Sequence, residues 1–248
     1  MADSADREPT WVVLPTYNEA ENIEAFVEAV LSAVPALTRI LIVDDNSPDG
    51  TGRRADRLAE RDGRVSVLHR PRKEGLGPAY VAGFRRALEG GAERIVEMDA
   101  DFSHDPAHLA PILEASRRAD LAIGSRYVPG GGVGDWGLLR RAISRAGSAY
   151  ARLALGVRVR DLTGGFKCFR GEVLRAIDLD SIRSRGYAFQ VETTYRALRA
   201  GFTVEEVPIV FRDRRVGSSK MSWPIVLEAA WRVPLLRLGP ERRSARPL

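Results

Sequence analysis

The 248-residue sequence contains very little cysteine and no long uninterrupted apolar stretch. Its one cysteine, Cys168, excludes an intramolecular disulfide framework and fits a reducing compartment, so we predict a core position in a strand for it. No apolar run reaches the roughly 18–20 residues that span a bilayer. The polar segment 1–9 has no signal-peptide core and is predicted to be flexible. We therefore expect no transmembrane span in this chain.

Lysine is scarce as well, because arginine supplies nearly all of the positive charge. The lysines are Lys73, Lys167 and Lys220, among 38 basic and 33 acidic residues. The net charge of +5 indicates anionic partners, without choosing among nucleic acid, nucleotide and anionic lipid. A lysine in so arginine-rich a chain is a candidate site residue, since it supplies a compact point charge where arginine supplies a planar fork.

Short apolar runs alternate with amphipathic segments through the first half of the chain. The predicted strands are 11–14, 40–43, 65–68, 94–98 and 121–123, and the predicted helices are 20–34, 50–61, 76–89 and 106–116. Such alternation indicates βαβ units and a mostly parallel sheet. We predict one α/β domain over 10–222, with ligands bound beyond the carboxyl ends of its strands.

The second half of the sequence is less regular. A glycine-rich loop at 130–137 precedes a basic helix at 138–155, and a helix at 189–200 precedes a strand at 204–210. The segment 223–248 is predicted to be a C-terminal amphipathic helix and basic tail. Its tryptophans, Trp223 and Trp231, lie near Arg232 and Arg237, as in helices that lie in a membrane interface. The alternative is a final helix packed on the sheet.

Two carboxylates follow the fourth predicted strand. In an extended segment Asp99 and Asp101 point to the same side, and paired carboxylates at the mouth of a sheet suit Mg²⁺ or Mn²⁺ together with substrate phosphates. The alternative is structural: Asp99 caps the strand end and Asp101 begins a turn. Polar clusters also follow the first two strands, at 15–19 and 44–49. Together the three clusters predict a nucleotide pocket with a metal on its diphosphate.

The sequence resembles a known family in several separated segments. LPTYNEAEN at 14–22, VDDNSPDGT at 43–51 and MDADFSH at 98–104 are similar to family 2 glycosyltransferases with the Rossmann-like GT-A fold. More narrowly, they resemble the dolichol-phosphate (polyprenol-phosphate) mannose synthases. The narrower resemblance continues, in order and spacing, through 75–77, 124–127, 136–145, 161–169 and 211–222.

The resemblance assigns roles to particular residues. It implies nucleotide binding by Pro15, Tyr17, Glu19, Val43, Asp44, Asp45, Asp99 and Ala100. It implies Mg²⁺ or Mn²⁺ binding by Asp99 and Asp101, acceptor-phosphate binding by Arg126, Arg140 and Ser144, and catalytic roles for Asp101, Arg126, Arg214 and Lys220. Some relatives have a further ligand, glutamine, two residues after the second aspartate. Here that position holds Ser103, which becomes the candidate third ligand.

The implied activity is inverting transfer of mannose from GDP-mannose to a polyprenol or dolichol phosphate, giving polyprenyl-phosphate mannose and GDP. A phosphate acceptor is already anionic and needs no strong general base, which agrees with three histidines that lack a recognisable triad partner. The alternatives are a polyprenyl-phosphate glucosyltransferase using UDP-glucose and a non-catalytic nucleotide-binding module.

We expect a peripheral protein on the cytoplasmic side of a membrane, with no nucleic-acid partner. The C-terminal segment, a separate membrane-anchoring subunit or a fused domain would supply its anchor.

Overall fold

The structure is a computed structural model that describes residues 8–134, 136–182, 184, 186–212 and 232–237. Its strands are β1 (Thr10–Thr16), β2 (Arg39–Asp44), β3 (Val65–His69), β4 (Arg94–Glu97), β5 (Leu121–Ser125), β6 (Gly132–Val133), β7 (Lys167–Arg170), β8 (Val204–Pro208) and β9 (Val210–Phe211). Its helices are α1 (Ile23–Ala33), α2 (Thr51–Arg61), α3 (Leu76–Glu89), α4 (Leu109–Arg118), α5 (Leu138–Leu155), α6 (Gly171–Ala176) and α7 (Gly186–Arg199).

Seven strands form the main sheet in the order β3-β2-β1-β4-β7-β5-β8, and β6 pairs separately with β9. The contacts of β1 with β2 and β4, of β2 with β3 and of β5 with β8 are all parallel. Only β7, among the strands of this sheet, runs antiparallel to its neighbours, β4 and β5. The predicted α/β class and mostly parallel sheet are therefore confirmed.

Helices cover both faces of the sheet, so the central strands are buried on both sides. Buried residues of α1, α2 and α4 pack on one face with Val12, Leu14 and Ile42. Buried residues of α3, α5 and α7 pack on the other face with Val13 and Leu41. The alternation of neighbouring side chains between the faces is the period-two pattern of a strand.

The predicted helices differ from the observed ones mainly at their ends. The helix predicted at 106–116 begins as a 3₁₀ turn at Pro106–His108, with Asp105 accepting a hydrogen bond from the Ala107 N–H, before α4. The helix predicted at 138–155 coincides with α5. For β7, the sequence predicts only that Cys168 has a core position in a strand, without bounds for the strand. That residue is fully buried, and burial raises the pKa of its thiol to about 11, so it stays protonated.

The predicted boundary at residue 222 and most of the C-terminal segment lie outside the described residues. Within 232–237, the side chain of Val233 is buried in the cluster on the α3 face, and Leu236 packs against that cluster. These residues favour the packed alternative at this point of the chain. In the part of the chain that the structure describes, no helix is long and apolar enough to cross a membrane.

The contact between α3 and the sheet depends on Gly83. A Cβ there would lie 2.4 Å from Val13 Cγ1 and 3.1 Å from Val43 Cγ2. We expect Gly83→Ala to lower the free energy of unfolding by about 1–3 kcal/mol through overpacking, although alanine favours helix. Gly147→Ala in α5 is the matched control, because nothing lies within 4 Å of its added Cβ. Urea denaturation measures the free energy of unfolding of both variants. An equal change in that free energy for Gly83→Ala and Gly147→Ala would contradict the packing argument.

Candidate functional site

A cavity of about 720 Å³ opens at the carboxyl ends of β1, β4 and β5. Of the residues predicted for the site, those lining it are Pro15, Tyr17, Glu19, Asp45, Asp99, Ala100, Asp101, Ser103, Arg126 and Arg140. Val43, Asp44 and Ser144 are not among the lining residues, and Arg214 and Lys220 lie outside the described residues. The structure thus brings most of the predicted positions to one edge of the sheet, where the parallel topology places ligands.

The loops after β1 and β2 hold each other in place. The Glu19 N–H donates to Thr51 Oγ1 at 2.9 Å, and the Ala20 N–H donates to Asp49 Oδ2 at 3.0 Å. The Glu19 carboxylate accepts a hydrogen bond from Asn22 Nδ2 at 3.0 Å. Tyr17 is half-buried at the cavity wall, with Lys73 Nζ 3.8 Å from its ring centroid. The ammonium of Lys73 therefore covers one face of the Tyr17 ring.

Asp44 and Asp45 have different environments. Asp44 is buried behind the cavity and accepts hydrogen bonds from Thr16 Oγ1, from Ser47 Oγ at 2.6 Å and from the Ser47 N–H at 3.0 Å. Asp45 lines the cavity and pairs with the buried Arg70 guanidinium, which also contacts Glu74. The side chain of Val43 belongs to the core. Direct ligand contacts by Val43 and Asp44 stay predictions.

Directly after β4 the chain bends over residues 100–104, so Asp101 does not continue an extended strand. Residues 99–104 are called the aspartate turn. The Asp99 N–H donates to His104 Nδ1 at 3.0 Å, which assigns the His104 proton to Nε2. Asp99 Oδ1 accepts from the Tyr80 hydroxyl at 3.3 Å, and burial together with the charge of Asp99 raises the pKa of Tyr80, keeping it a donor. Asp101 Oδ1 accepts from the Ser103 N–H at 3.0 Å. Both carboxylates are therefore held at the cavity edge.

The donor set fits a hard divalent cation whose remaining ligands are water and phosphate. Within the described ranges, no group of three or more His, Cys, Asp or Glu side chains is arranged to hold a metal ion. Two carboxylates suffice for Mg²⁺ or Mn²⁺, which commonly keeps waters and binds substrate phosphates. The Ser103 hydroxyl beside them is buried without a hydrogen-bond partner among the described residues, which suits a further ligand.

A buried ion pair underlies this turn. Glu97, the last residue of β4, is paired in register with Lys167 of β7, and their charged atoms are 3.4 Å apart with both side chains fully buried. Burial raises the pKa of Glu97 to about 7 and lowers the pKa of Lys167. Lys167 Nζ also donates to the Gln190 carbonyl at 2.9 Å and to Gln190 Oε1 at 2.6 Å. This cluster joins β4, β7 and α7 beneath the cavity.

The opposite wall is basic. Arg126, just after β5, forms a fork with the buried Asp161: Nε donates to Oδ2 and Nη2 to Oδ1, both at 2.7 Å. Nη2 donates also to Thr163 Oγ1 at 2.8 Å. Burial alone would lower the pKa of Arg126, but the Asp161 carboxylate outweighs it and raises that pKa. The guanidinium of Arg140, on α5, lies 4.1 Å from the Trp136 ring centroid.

Ser144 has a supporting position on this side. Its hydroxyl accepts a hydrogen bond from the Tyr127 hydroxyl at 2.6 Å, one turn along α5 from Arg140. Its predicted contact with an acceptor phosphate stays a prediction.

Several lining residues were not assigned a role from the sequence. They are Lys73, His104, Trp136, Thr163, Tyr187 and Gln190. The scarcity of lysine did mark Lys73 and Lys167. The segment 161–166 stood out as a motif, but only the structure shows that its aspartate holds Arg126. Gln190 gave no signal, because a polar residue in a helix normally faces solvent.

The chain is similar to known proteins both in sequence and in fold. The sequence model of Glycosyl transferase family 2 matches residues 11–178. An undecaprenyl-phosphate mannosyltransferase of Micrococcus luteus is 52% identical over 88% of this chain and 89% of its own length. A polyprenol monophosphomannose synthase of Mycolicibacterium smegmatis is 50% identical over 90% of this chain and 85% of its own length.

Solved structures of the same fold are more distant in sequence. A glucosyl-3-phosphoglycerate synthase from Mycobacterium tuberculosis, in complex with Mn²⁺, UDP and phosphoglyceric acid, superposes with a TM-score of 0.70 at 20% identity. The match covers 96% of this chain and 82% of that one. A second complex of that enzyme, with Mg²⁺ and UDP, gives 0.70 at 19% identity, over 96% and 83%. These likenesses show a GT-A fold.

The Arg126–Asp161 pair generates a stability prediction. Asp161→Asn leaves a buried guanidinium without its counter-ion and should lower the free energy of unfolding by about 3–5 kcal/mol at neutral pH. The pKa of Asp161 is lowered because Arg126 outweighs the effect of burial. The carboxylate's contribution is therefore present above the unfolded pKa of about 3.9 and is lost as the pH falls through the folded value.

Denaturation of both proteins between pH 3 and pH 7 would measure this effect, and the difference between them should narrow below about pH 4. Asp62→Asn is the matched control, since its pair with Arg64 at 2.7 Å is partly exposed and should contribute under about 1 kcal/mol. A pH-independent difference for Asp161→Asn would contradict the electrostatic cause.

Proposed function

This chain is a member of glycosyl transferase family 2, and from that membership we propose that it transfers mannose from GDP-mannose to a polyprenyl phosphate. The products are polyprenyl-phosphate mannose and GDP. The observation that carries the proposal is that two carboxylates, Asp99 and Asp101, and two arginines, Arg126 and Arg140, line the same cavity. Relatives at 52% and 50% identity bear the names of a polyprenyl-phosphate mannosyltransferase and a phosphomannose synthase, which supports this substrate pair.

The donor nucleotide occupies the side of the cavity formed by the β1 and β2 loops. Tyr17 offers a ring face for the base, and Glu19 and Asp45 offer carboxylate oxygens for base or ribose hydroxyls. The Asp45 carboxylate is fixed by Arg70 and by a hydrogen bond from the Glu74 N–H at 3.3 Å. A fixed acceptor needs little reorganisation when a ligand binds, which favours affinity.

Asp99 and Asp101 would hold Mg²⁺ or Mn²⁺ together with the donor diphosphate, with Ser103 as a further candidate ligand. When bound, the cation would supply positive charge to stabilise the departing diphosphate. The glucosyl-3-phosphoglycerate synthase complexes contain Mn²⁺ or Mg²⁺ with UDP, which agrees with a divalent-ion site on this fold. His104 and Tyr80 orient Asp99 through its N–H and its Oδ1.

The acceptor phosphate occupies the basic wall. Asp161 and Thr163 occupy Nε and Nη2 of Arg126, so its Nη1 is the atom presented to a ligand. Arg140 adds a second guanidinium from α5. Because the acceptor is an anion, catalysis depends on positioning and charge stabilisation rather than on a general base. A single in-line displacement inverts the anomeric configuration, and Arg214 and Lys220 remain proposed participants on the diphosphate side.

Helix α5 provides a surface for the membrane in which such an acceptor resides. Leu139, Ile143, Tyr150 and Leu153 recur every three to seven residues on one helix face and are 75%, 40%, 42% and 75% exposed. At about 100° per residue, the exposed Arg141 and Arg145 lie more than a third of the way round the helix from this face. An exposed apolar face on a helix that also carries basic residues fits the interface of an anionic bilayer. Since Arg140 of the same helix lines the cavity, this face sets the protein peripherally on the membrane beside its acceptor site.

The metal site and the substrates are tested together. We expect Asp101→Ala to reduce transfer at least about a hundredfold, since charge stabilisation of the leaving group is lost. The assay follows radiolabelled sugar from GDP-mannose or UDP-glucose into organic-phase product, with a short-chain polyprenyl phosphate and Mg²⁺ or Mn²⁺. Asp105→Asn is the control, because asparagine can still cap the 3₁₀ turn. Wild-type rates for Asp101→Ala would remove the metal claim, and transfer only from UDP-glucose would replace mannose with glucose.

The membrane face is tested by substituting Leu139, Ile143 and Leu153 with glutamine together. Each apolar side chain transferred from water contributes roughly 1.5–3 kcal/mol, so binding to anionic vesicles should fall at least about tenfold in co-sedimentation. Activity on a water-soluble short-chain acceptor should be retained. Leu37→Gln, at a residue 61% exposed outside α5, is the control. Unchanged vesicle binding in the triple variant would exclude this face.

A further inference from the structure

Lys167 fixes the orientation of the Gln190 side chain. A lysine ammonium is a donor only, so the amide atom that faces it at 2.6 Å is the oxygen, Oε1. The same ammonium donates to the Gln190 carbonyl at 2.9 Å and lies 3.4 Å from both Thr193 Oγ1 and Glu97 Oε1. Its hydrogen-bonding capacity is therefore used within the protein. The amide nitrogen of Gln190, Nε2, points away from it.

That nitrogen is buried and has no hydrogen-bond partner among the described residues. Gln190 is only 3% exposed, yet it lines the cavity. Leaving a buried amide N–H unpaired is destabilising, so an acceptor atom is expected in front of it. Because Gln190 lines the cavity, a bound ligand can supply that acceptor atom.

The position of Nε2 relative to the aspartate turn is defined by Gly165. A Cβ on Gly165 would lie 3.2 Å from Gln190 Nε2 and 3.6 Å from His104 Cε1. His104 in turn accepts the Asp99 N–H. The amide therefore lies beside the turn proposed to hold the diphosphate, where the sugar attached to that diphosphate must be. The absence of a side chain at Gly165 leaves this space open.

Glu97 is the competing acceptor inside the protein. Lys167 Nζ contacts both Glu97 Oε1, at 3.4 Å, and Gln190 Oε1, at 2.6 Å, so the carboxylate and the amide lie close together. Among the described residues, Gln190 Nε2 and the two carboxylate oxygens of Glu97 have no hydrogen-bond partner of acceptable geometry. The charge of the Glu97 carboxylate is already balanced by Lys167. The neutral amide donor of Gln190 therefore suits a neutral sugar hydroxyl in the cavity.

We propose that Gln190 recognises the transferred sugar, with its Nε2 donating a hydrogen bond to one hydroxyl oxygen of the hexose, and that Lys167 is the positioning residue that aims it. This inference rests on the proposed function and adds a determinant of sugar specificity to it. A buried amide that loses its hydroxyl partner is left unpaired, which is how such a site rejects a sugar lacking that hydroxyl.

The test is calorimetric binding of GDP-mannose and of GDP to the full chain with Mn²⁺. For Gln190→Met we expect the Kd of GDP-mannose to rise about tenfold, the equivalent of one hydrogen bond, while the Kd of GDP changes less than about twofold. Thr193→Val is the control, because it removes a neighbour of Lys167 outside the cavity and should change neither. Equal weakening of GDP and GDP-mannose, or no weakening of either, would overturn the inference.

A second measurement identifies the hydroxyl and covers poor folding of one variant. The donor is compared with its 2-, 3-, 4- and 6-deoxy forms. For the wild-type protein, one deoxy form should have a Kd about tenfold higher than that of GDP-mannose. For Gln190→Met, the same deoxy form and GDP-mannose should have equal Kd values. Gln190→Asn keeps an amide but is too short to reach the same hydroxyl, so it should bind the deoxy form and GDP-mannose with equal Kd values, as Gln190→Met does. If wild type discriminates against no deoxy sugar, Gln190 is only structural. If wild type binds GDP and no GDP-mannose, the proposed function itself fails, independently of any variant.

Discussion

A buried ammonium group, that of Lys167, joins the three elements that form the floor of the cavity. It is supplied by β7, the antiparallel strand of the main sheet, and its partners come from β4 and α7. A buried charge that loses one partner is strongly destabilising, so neither β4 nor α7 can shift without a large cost. Asp99 follows Glu97 by two residues, and the aspartate turn therefore starts from a fixed point.

The pair formed by Arg126 and Asp161 fixes the basic wall in the same way. Close backbone packing supports it: a Cβ on Gly131 would lie 2.5 Å from the Ser125 carbonyl, and one on Gly164 would lie 3.1 Å from the Gly124 carbonyl. The loop at Gly131 thus has room for glycine only, and a Cβ at Gly164 would be in tight contact. Charged groups held in place before the ligand arrives stabilise developing charge without reorganisation, which suits a reaction that depends on positioning.

The sheet and the polar strand ends could be predicted from the sequence because both depend on local patterns. A buried strand position for Cys168 was predicted, but the bounds and the direction of β7 could not be, since a four-residue strand with Lys167 at its start and Arg170 at its end lacks an apolar pattern. Burying that lysine makes sense only once Glu97 is known to be its neighbour. Gln190 was missed for a similar reason, because most residues of α7 are buried and its polar positions face the protein interior.

Adjacent residues at a strand end show a further limit of prediction from sequence. Successive side chains of an extended chain point to opposite sides, so two neighbouring aspartates cannot both face one ligand in the same manner. The pattern does not say which of Asp44 and Asp45 does. Here Asp44 organises the loop through Thr16 and Ser47, and the following aspartate lines the cavity.

The proposed contact between Arg126 and the acceptor phosphate depends on the donor atoms that Asp161 and Thr163 do not use. Because the carboxylate of Asp161 balances its charge, the guanidinium attracts a distant phosphate only weakly, and its contribution is directional. Two of its nitrogens are committed to Asp161 and Thr163, and the rigid planar group then sets the direction of the third. A lysine ammonium could neutralise Asp161 or reach a phosphate, but it has no planar fork with which to do both in a fixed geometry. Arginine at this position is therefore required by shape more than by charge.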